Sequence, residues 1–102
     1  MESIKLFKKF MIQHSDIVLE ESKISFESTE LYQDEIDEKL ISIKHLKQLP
    51  NPILFDTLLY EDDKGNDWIA GIAVNPETRE REYIVLILNG EPITHRFLKR
   101  CK

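Results

Sequence analysis

The stretch Glu82-Tyr83-Ile84-Val85-Leu86-Ile87-Leu88-Asn89-Gly90-Glu91-Pro92-Ile93-Thr94-His95-Arg96-Phe97-Leu98 decides the fold. Glu82–Leu88 is apolar and rich in β-branched residues, which favours an extended, buried strand. Asn89-Gly90 is the dipeptide best suited to a two-residue hairpin, where both turn positions need positive φ. Pro92–Leu98 is then the returning strand. Upstream, Trp68–Val74 ends at Asn75-Pro76-Glu77-Thr78, and Ile53–Glu61 ends at the polar, glycine-containing turn Asp62–Asp67. Three successive hairpins predict an antiparallel meander of four strands.

Towards the N-terminus the spacing changes. Pro50-Asn51-Pro52 stops any helix that precedes it. Ser28 or Thr29 opens a second predicted helix, in which Tyr32, Ile36, Leu40, Ile43 and then Leu46 or Lys47 recur at helical steps up to Leu49. Leu40-Ile41-Ser42-Ile43 also reads as extended chain. Ile17-Val18-Leu19-Glu20-Glu21-Ser22-Lys23-Ile24-Ser25-Phe26, apolar at both ends and polar in its middle, predicts a first strand. Ser15-Asp16 is a turn, and Ser3 caps a first helix carrying Ile4, Phe7, Met11 and His14 at helical spacing. The expected architecture is α+β: one antiparallel five-stranded sheet with two helices in the order α-β-α-β-β-β-β.

The chain has 102 residues, enough for one core but not two, so residues 1–102 are expected to form a single domain. No apolar run approaches the roughly 20 residues of a membrane span. Lysines interrupt the first apolar residues, unlike a secretory signal. A single cysteine, Cys101, forms no internal disulfide and suits a reducing compartment, so a cytoplasmic location is expected.

The net charge of −5 is unevenly spread. Residues 1–14 carry +2, while residues 15–42 hold nine acids against Lys23 and Lys39, giving −7. Residues 53–82 carry −5, and the last twenty residues carry +3. Phosphates would be repelled by the acidic middle, so direct nucleic-acid binding there is disfavoured and a basic partner protein is favoured.

Catalytic constellations are not recognisable in the sequence. His14, His45 and His95 are widely separated, with no Cys or His at ligand spacing, and no metal is expected. Asp62–Asp67 departs from a calcium loop, with glycine at the fourth place and Ala73 at the twelfth. Gly65, Gly71 and Gly90 make no phosphate-cradling loop, and no serine sits in a nucleophile elbow. Cys101 lies between Arg100 and Lys102 but reads as a plain terminal thiol. Carboxylates are abundant, yet no pattern places one in a buried catalytic site. A non-enzyme without cofactors is expected.

Two acidic features need a reason. In the predicted second helix, Glu30 and Asp34, then Asp34 and Glu38, are like-charged pairs at i,i+4, each costing roughly 0.2–0.5 kcal/mol. Acids in the first half of a helix also complement its dipole. In the predicted first strand, Glu20 and Glu21, with Glu27 and Glu30 just beyond, form a carboxylate track beside Ile24, Phe26 and Ile36. Same-face residues on a strand are roughly 6.5–7 Å apart, similar to the phosphate step of one DNA strand. Charge on an exposed edge strand also guards against aggregation.

The order α-β-α-ββββ, the Ile17-Val18-Leu19-Glu20-Glu21-Ser22 stretch, and the run from Ile53-Leu54-Phe55-Asp56-Thr57 through the acidic turn to Asn89-Gly90 resemble the phage-type uracil-DNA glycosylase inhibitors. That resemblance implies a DNA mimic acting in the cytoplasm of a bacterial host cell, where it binds the host uracil-DNA glycosylase one to one, as a monomer, with no contact to nucleic acid or membrane. It also implies that the first strand enters the enzyme's groove with Glu21 and Ser22, flanked by Glu20 and by Lys23, where the family carries an aliphatic residue. Glu30 or Glu27 corresponds to the family's phosphate-mimicking carboxylate. Ile24, Ile36, Phe55 and Ile69 correspond to its apolar socket. Such an inhibitor meets a base-flipping enzyme's basic groove and apolar wedge without the cost of distorting a duplex. The same acidic face also suits an anti-defence or immunity protein aimed at another basic nucleic-acid enzyme. A third reading, a nucleic-acid-binding module using Lys5, Lys8, Lys9, Phe97 and the basic tail, competes with solvated basic ends.

Overall fold

A computed structural model describes residues 2–98. Helix α1 (Glu2–Ser15) leads through a 3₁₀ turn (Glu21–Lys23) into β1 (Ser25–Leu31). A second 3₁₀ turn (Gln33–Glu35) and the single-turn helix α2 (Ile43–Leu46) follow. Strands β2 (Ile53–Glu61), β3 (Asp67–Val74), β4 (Arg81–Leu88) and β5 (Glu91–Phe97) complete the chain. The five strands form one antiparallel sheet in the order β1-β2-β3-β4-β5. The architecture is therefore α+β, with two helices and a five-stranded meander. Cys101 and the tail residues Lys99, Arg100 and Lys102 lie outside the described residues.

The hairpin logic of residues 53–98 holds to within a residue or two at each strand end. Asn89 and Gly90 have φ of 50° and 85°, the left-handed pair that a two-residue turn between twisted strands requires. Asp16, with φ of 56°, ends α1, its N–H donating to the Ile12 carbonyl at 3.1 Å.

The sheet is covered on both faces. On one, Phe7, Phe10 and Met11 of α1 and Leu19 pack over Leu58, Tyr60, Trp68, Ala70, Ile72, Ile84 and Leu86. On the other, Ile36, Ile41, Leu46 and Leu49 cover Ile53, Phe55, Ala73, Tyr83 and Val85. Ser3 lies inside α1 instead of capping it. It is fully buried; its Oγ donates to Asp56 Oδ2 at 2.6 Å and accepts from Arg81 Nε at 3.0 Å. This clamp fixes the start of α1 on β2 and β4, because a buried carboxylate without a donor would be costly.

Two expectations for residues 16–52 are corrected. The first strand is not Ile17–Phe26. Residues 17–20 lack regular structure, Glu21–Lys23 forms the 3₁₀ turn, and pairing begins at Ser25, opposite Leu59. The polar middle that weakened that segment as a strand is a turn. Nor does a helix run from Ser28 or Thr29 to Leu49. Residues 28–31 are strand, paired with Asp56 to Ile53, and only Ile43–Leu46 is α-helical, capped by Ser42. The expected helical stripe is wrong at Tyr32 and Ile43, which are exposed. The buried set is Ile36, Ile41, Leu46 and Leu49, whose first two intervals of five residues no single helix face supplies. Gln33 holds the segment together: its Nε2 donates to the carbonyls of Leu46 at 2.8 Å and Leu49 at 3.0 Å, and its N–H to Asn51 Oδ1 at 3.0 Å. The i,i+4 charge pairs Glu30/Asp34 and Asp34/Glu38 accordingly lie on no common helix.

Candidate functional site

Cross-strand partners share a face of the sheet, so the register assigns each side chain to one side. On the face covered by Ile36, Ile41, Leu46 and Leu49, one row reads Glu27, Thr57, Gly71, Val85, and the next Ser25, Leu59, Ile69, Ile87. Beyond these rows Glu61 stands opposite Asp67. The covering segment does not reach this far. Leu59 is 42% exposed, and a hollow of about 400 Å³ opens here, bordered by Lys23, Ser25, Leu59, Glu61, Asp67 and Ile69. The Phe55 ring lies over Gly71, where an added Cβ would come within 2.6 Å of its Cζ, and so separates the hollow from the closed core.

Around this open end the acidic side chains converge. Lys23 Nζ is 3.9 Å from Glu20 Oε2 and 4.0 Å from Asp63 Oδ1, which brings the 3₁₀ turn against the β2–β3 turn. Glu21 Oε2 is 3.6 Å from Lys8 Nζ of α1. On the opposite side of the same sheet end, a second hollow of about 460 Å³ is bordered by Val18, Tyr60, Asp62, Asp63 and Trp68, with Val18 76% exposed. Carboxylates, with Lys23 at one and Lys64 at the other, thus border two hollows of mixed polar and apolar lining at one end of the molecule.

The tip is held rigidly. Asp62 Oδ1 accepts from the N–H groups of Lys64 and Asn66, both at 2.9 Å, and Oδ2 accepts from Trp68 Nε1 at 3.0 Å and Asn66 Nδ2 at 3.2 Å. The Trp68 indole hydrogen bond, followed by those of Asn66 and Lys64, lowers the Asp62 carboxyl to about 2 against an opposing effect of burial. Asn89 laces the neighbouring hairpin to this turn, accepting from Asp67 N–H at 2.9 Å and donating to Asn66 Oδ1 at 3.1 Å.

The residues singled out by sequence divide among these places. Glu20, Glu21, Ser22 and Lys23 lie together at the 3₁₀ turn beside the open end, with Glu27 on the edge strand nearby. Glu30 pairs with Leu54 and lies on the α1 face, opposite Glu27, so the two do not share a track. Ile24 packs against the α1-side core, whereas Ile36, Phe55 and Ile69 belong to the other one. Ile36 and Phe55 are buried, and of the four expected socket residues Ile69 lines the open hollow. Leu59, Glu61 and Asp67, at the heart of the site, were not singled out. Their signal was present: a hairpin folded symmetrically about Lys64 pairs Glu61 with Asp67 and Leu59 with Ile69.

A second cluster lies between α2 and β5. The His45 ring is 4.9 Å from His95, and its Nδ1 is 3.4 Å from the Tyr83 hydroxyl, whose pKa is raised by burial. Two of the three histidines, far apart in sequence, are therefore neighbours. Among the described residues no group of three or more His, Cys, Asp or Glu side chains is placed to hold a metal, and no helix is long and apolar enough to cross a membrane. No protein-family model, curated protein or solved structure matches the chain.

Proposed function

We propose that the protein is a non-enzymatic inhibitor that places the open acidic end of its sheet in the basic, nucleic-acid-binding cleft of an enzyme, with a host uracil-DNA glycosylase as the target. The observation that carries this reading is the direct opposition of Glu61 and Asp67 beside exposed Leu59. Like charges directly opposite on a sheet are destabilising, and among the described residues neither carboxylate has an ion-pair partner. A cationic cleft would relieve that repulsion and cover the apolar floor in one step. Fixed carboxylates on a braced turn steer encounter electrostatically, and burial of Leu59 and Ile69 slows release. The target comes from the resemblance of element order, since Glu21 and Ser22 lie in a 3₁₀ turn and not in the first strand that the likeness implied; the docking face is read from the register.

In this reading the apolar socket is the hollow over Leu59 and Ile69, and the phosphate-like charges are Glu20, Glu21, Glu27, Glu61, Asp63 and Asp67. Purified protein mixed with uracil-DNA glycosylase should abolish uracil excision near a one-to-one ratio. Full excision at a tenfold excess of protein would remove the glycosylase as target.

A further inference from the structure

The two edges of the sheet are built differently. β5 carries Pro92, which has no N–H to offer, and its register with β4 shifts between Leu86 and Ile87; both features discourage a further strand. β1 has neither. It pairs with β2 over its whole length without a shift, contains no proline, glycine or lysine, and is exposed at every residue but half-buried Leu31. Among the described residues no strand lies along its outer side. The backbone stays extended at Ile24 and Tyr32, one residue beyond each end, and Tyr32 is exposed. Glu27 and Glu30 are the only charged residues in the strand.

We propose that β1 is a self-association edge, through which two copies of the chain pair antiparallel about Ser28 and join their sheets into one. A two-fold axis keeps each side chain on its own face of the sheet, so the pairing centres on a residue and not between two. Centring on Ser28 pairs the entire strand: Ser25 with Leu31, Phe26 with Glu30, Glu27 with Thr29, and Ser28 with its own copy. Ile24 then meets Tyr32 at each end, which gives the exposed tyrosine an apolar neighbour. No carboxylate faces another. Centring on Glu27 or Glu30 would set like charges directly opposite, which is destabilising. Centring on Thr29 keeps them apart but leaves Ser25 and Phe26 without a partner inside the strand. The two glutamates therefore choose the register instead of closing the edge. The β5 edges stay outermost, so the assembly stops at two copies. A strand pair is a small interface, and the dissociation constant is accordingly about 10–100 μM. Pairing uses the outer edge of β1 and docking uses the hollow over β2 and β3, so neither depends on the other.

Sedimentation velocity from about 1 μM to about 1 mM, a range that brackets the expected constant, tests the pairing. The unaltered protein is compared with Thr29→Lys, Ser28→Glu and Ile12→Lys, the last at an exposed site on α1. Thr29→Lys sets each new lysine opposite Glu27 of the second copy and should tighten the dimer about fivefold. Ser28→Glu brings two carboxylates together on the axis and should weaken it by about the same factor. Ile12→Lys adds the same charge away from the edge and should tighten it less than about twofold. Thermal midpoints of the four proteins at the lowest concentration should agree to within about 3 °C, as expected of exposed positions. A protein that sediments as a monomer throughout overturns the pairing, as do assemblies larger than two. A dimer that Thr29→Lys and Ser28→Glu leave unchanged, or that responds as strongly to Ile12→Lys, overturns it equally.

Discussion

The two ends of one sheet face differ more than their shared strands suggest. At the closed end Ile36, Ile41, Leu46 and Leu49 seal Ile53, Phe55, Ala73 and Tyr83 from water, and Ile41 and Ile53 are fully buried. At the open end the same strands β2 and β3 present exposed Leu59 and half-buried Ile69, bordered among the described residues by Lys23, Ser25, Glu61 and Asp67. Burial drives the first arrangement. Nothing in folding calls for the second, in which carboxylates face one another and an exposed leucine keeps its apolar surface in water. The docking face proposed above would account for this combination, since a partner would cover the apolar surface and offset the like charges.

Four changes sharpen or break this contrast. The largest effect is expected from Ile41→Ala at the closed end, which should cost about 2–5 kcal/mol, whereas Leu59→Ala should cost under about 1 kcal/mol because its side chain is already wet. Urea unfolding followed by the fluorescence of Trp68, the single tryptophan, measures both. Equal losses would mean that the open end is core. Next is Gly71→Ala at the boundary, where the new methyl would meet Phe55 Cζ at 2.6 Å and Val85 Cγ1 at 3.1 Å. The resulting overpacking should destabilise by about 1–3 kcal/mol in the same assay.

A third prediction concerns acid. The Asp62 carboxyl is depressed to about 2 from 3.8, so its stabilising effect is present above pH 3.8 and is lost as pH falls through about 2. Thermal midpoints recorded between pH 5 and pH 2 should fall for the unaltered protein and fall less for Asp62→Asn, which starts lower. Parallel curves would show that the turn is not braced by this carboxylate. The smallest stability effect, and the most telling for function, is Glu61→Lys. It replaces a repulsive cross-strand pair with an attractive one and should stabilise by about 0.2–1 kcal/mol, while weakening inhibition of the glycosylase at least tenfold. Stabilisation without loss of inhibition would move the docking face elsewhere.

The sequence was most legible where local rules coincide with tertiary ones. The strands of residues 53–98 announce themselves through apolar runs and through Asn89-Gly90, which meets its turn's φ requirement without help from the rest of the chain. Residues 16–52 were less legible because no local rule governs them. Tyr32, Ile36, Leu40 and Ile43 happen to fall at helical steps, yet the segment is held by Gln33 donating to carbonyls 13 and 16 residues away and by burial of Ile41 and Leu46 against the sheet. Ser3 looked like a cap because Asp56 and Arg81, its partners 53 and 78 residues on, are invisible to any local window. In the structure Glu20, Glu21, Lys23, Glu27 and Ile69 lie towards one end of the sheet, whereas Ile36 and Phe55, expected to share a socket with Ile69, are in the closed core. Glu30 was misplaced because strand alternation puts it on the other face from Glu27. Leu59, Glu61 and Asp67 become legible when the turn is folded symmetrically about Lys64, which sets Glu61 against Asp67 and Leu59 against Ile69.

The most direct test of the account is a map of backbone amide signals recorded while uracil-DNA glycosylase is added to labelled protein. Perturbations concentrated at residues 20–27 and 59–69, with α2 and the outer edge of β5 unchanged, are the predicted result. An unchanged spectrum, or changes centred on His45 and His95, would contradict it.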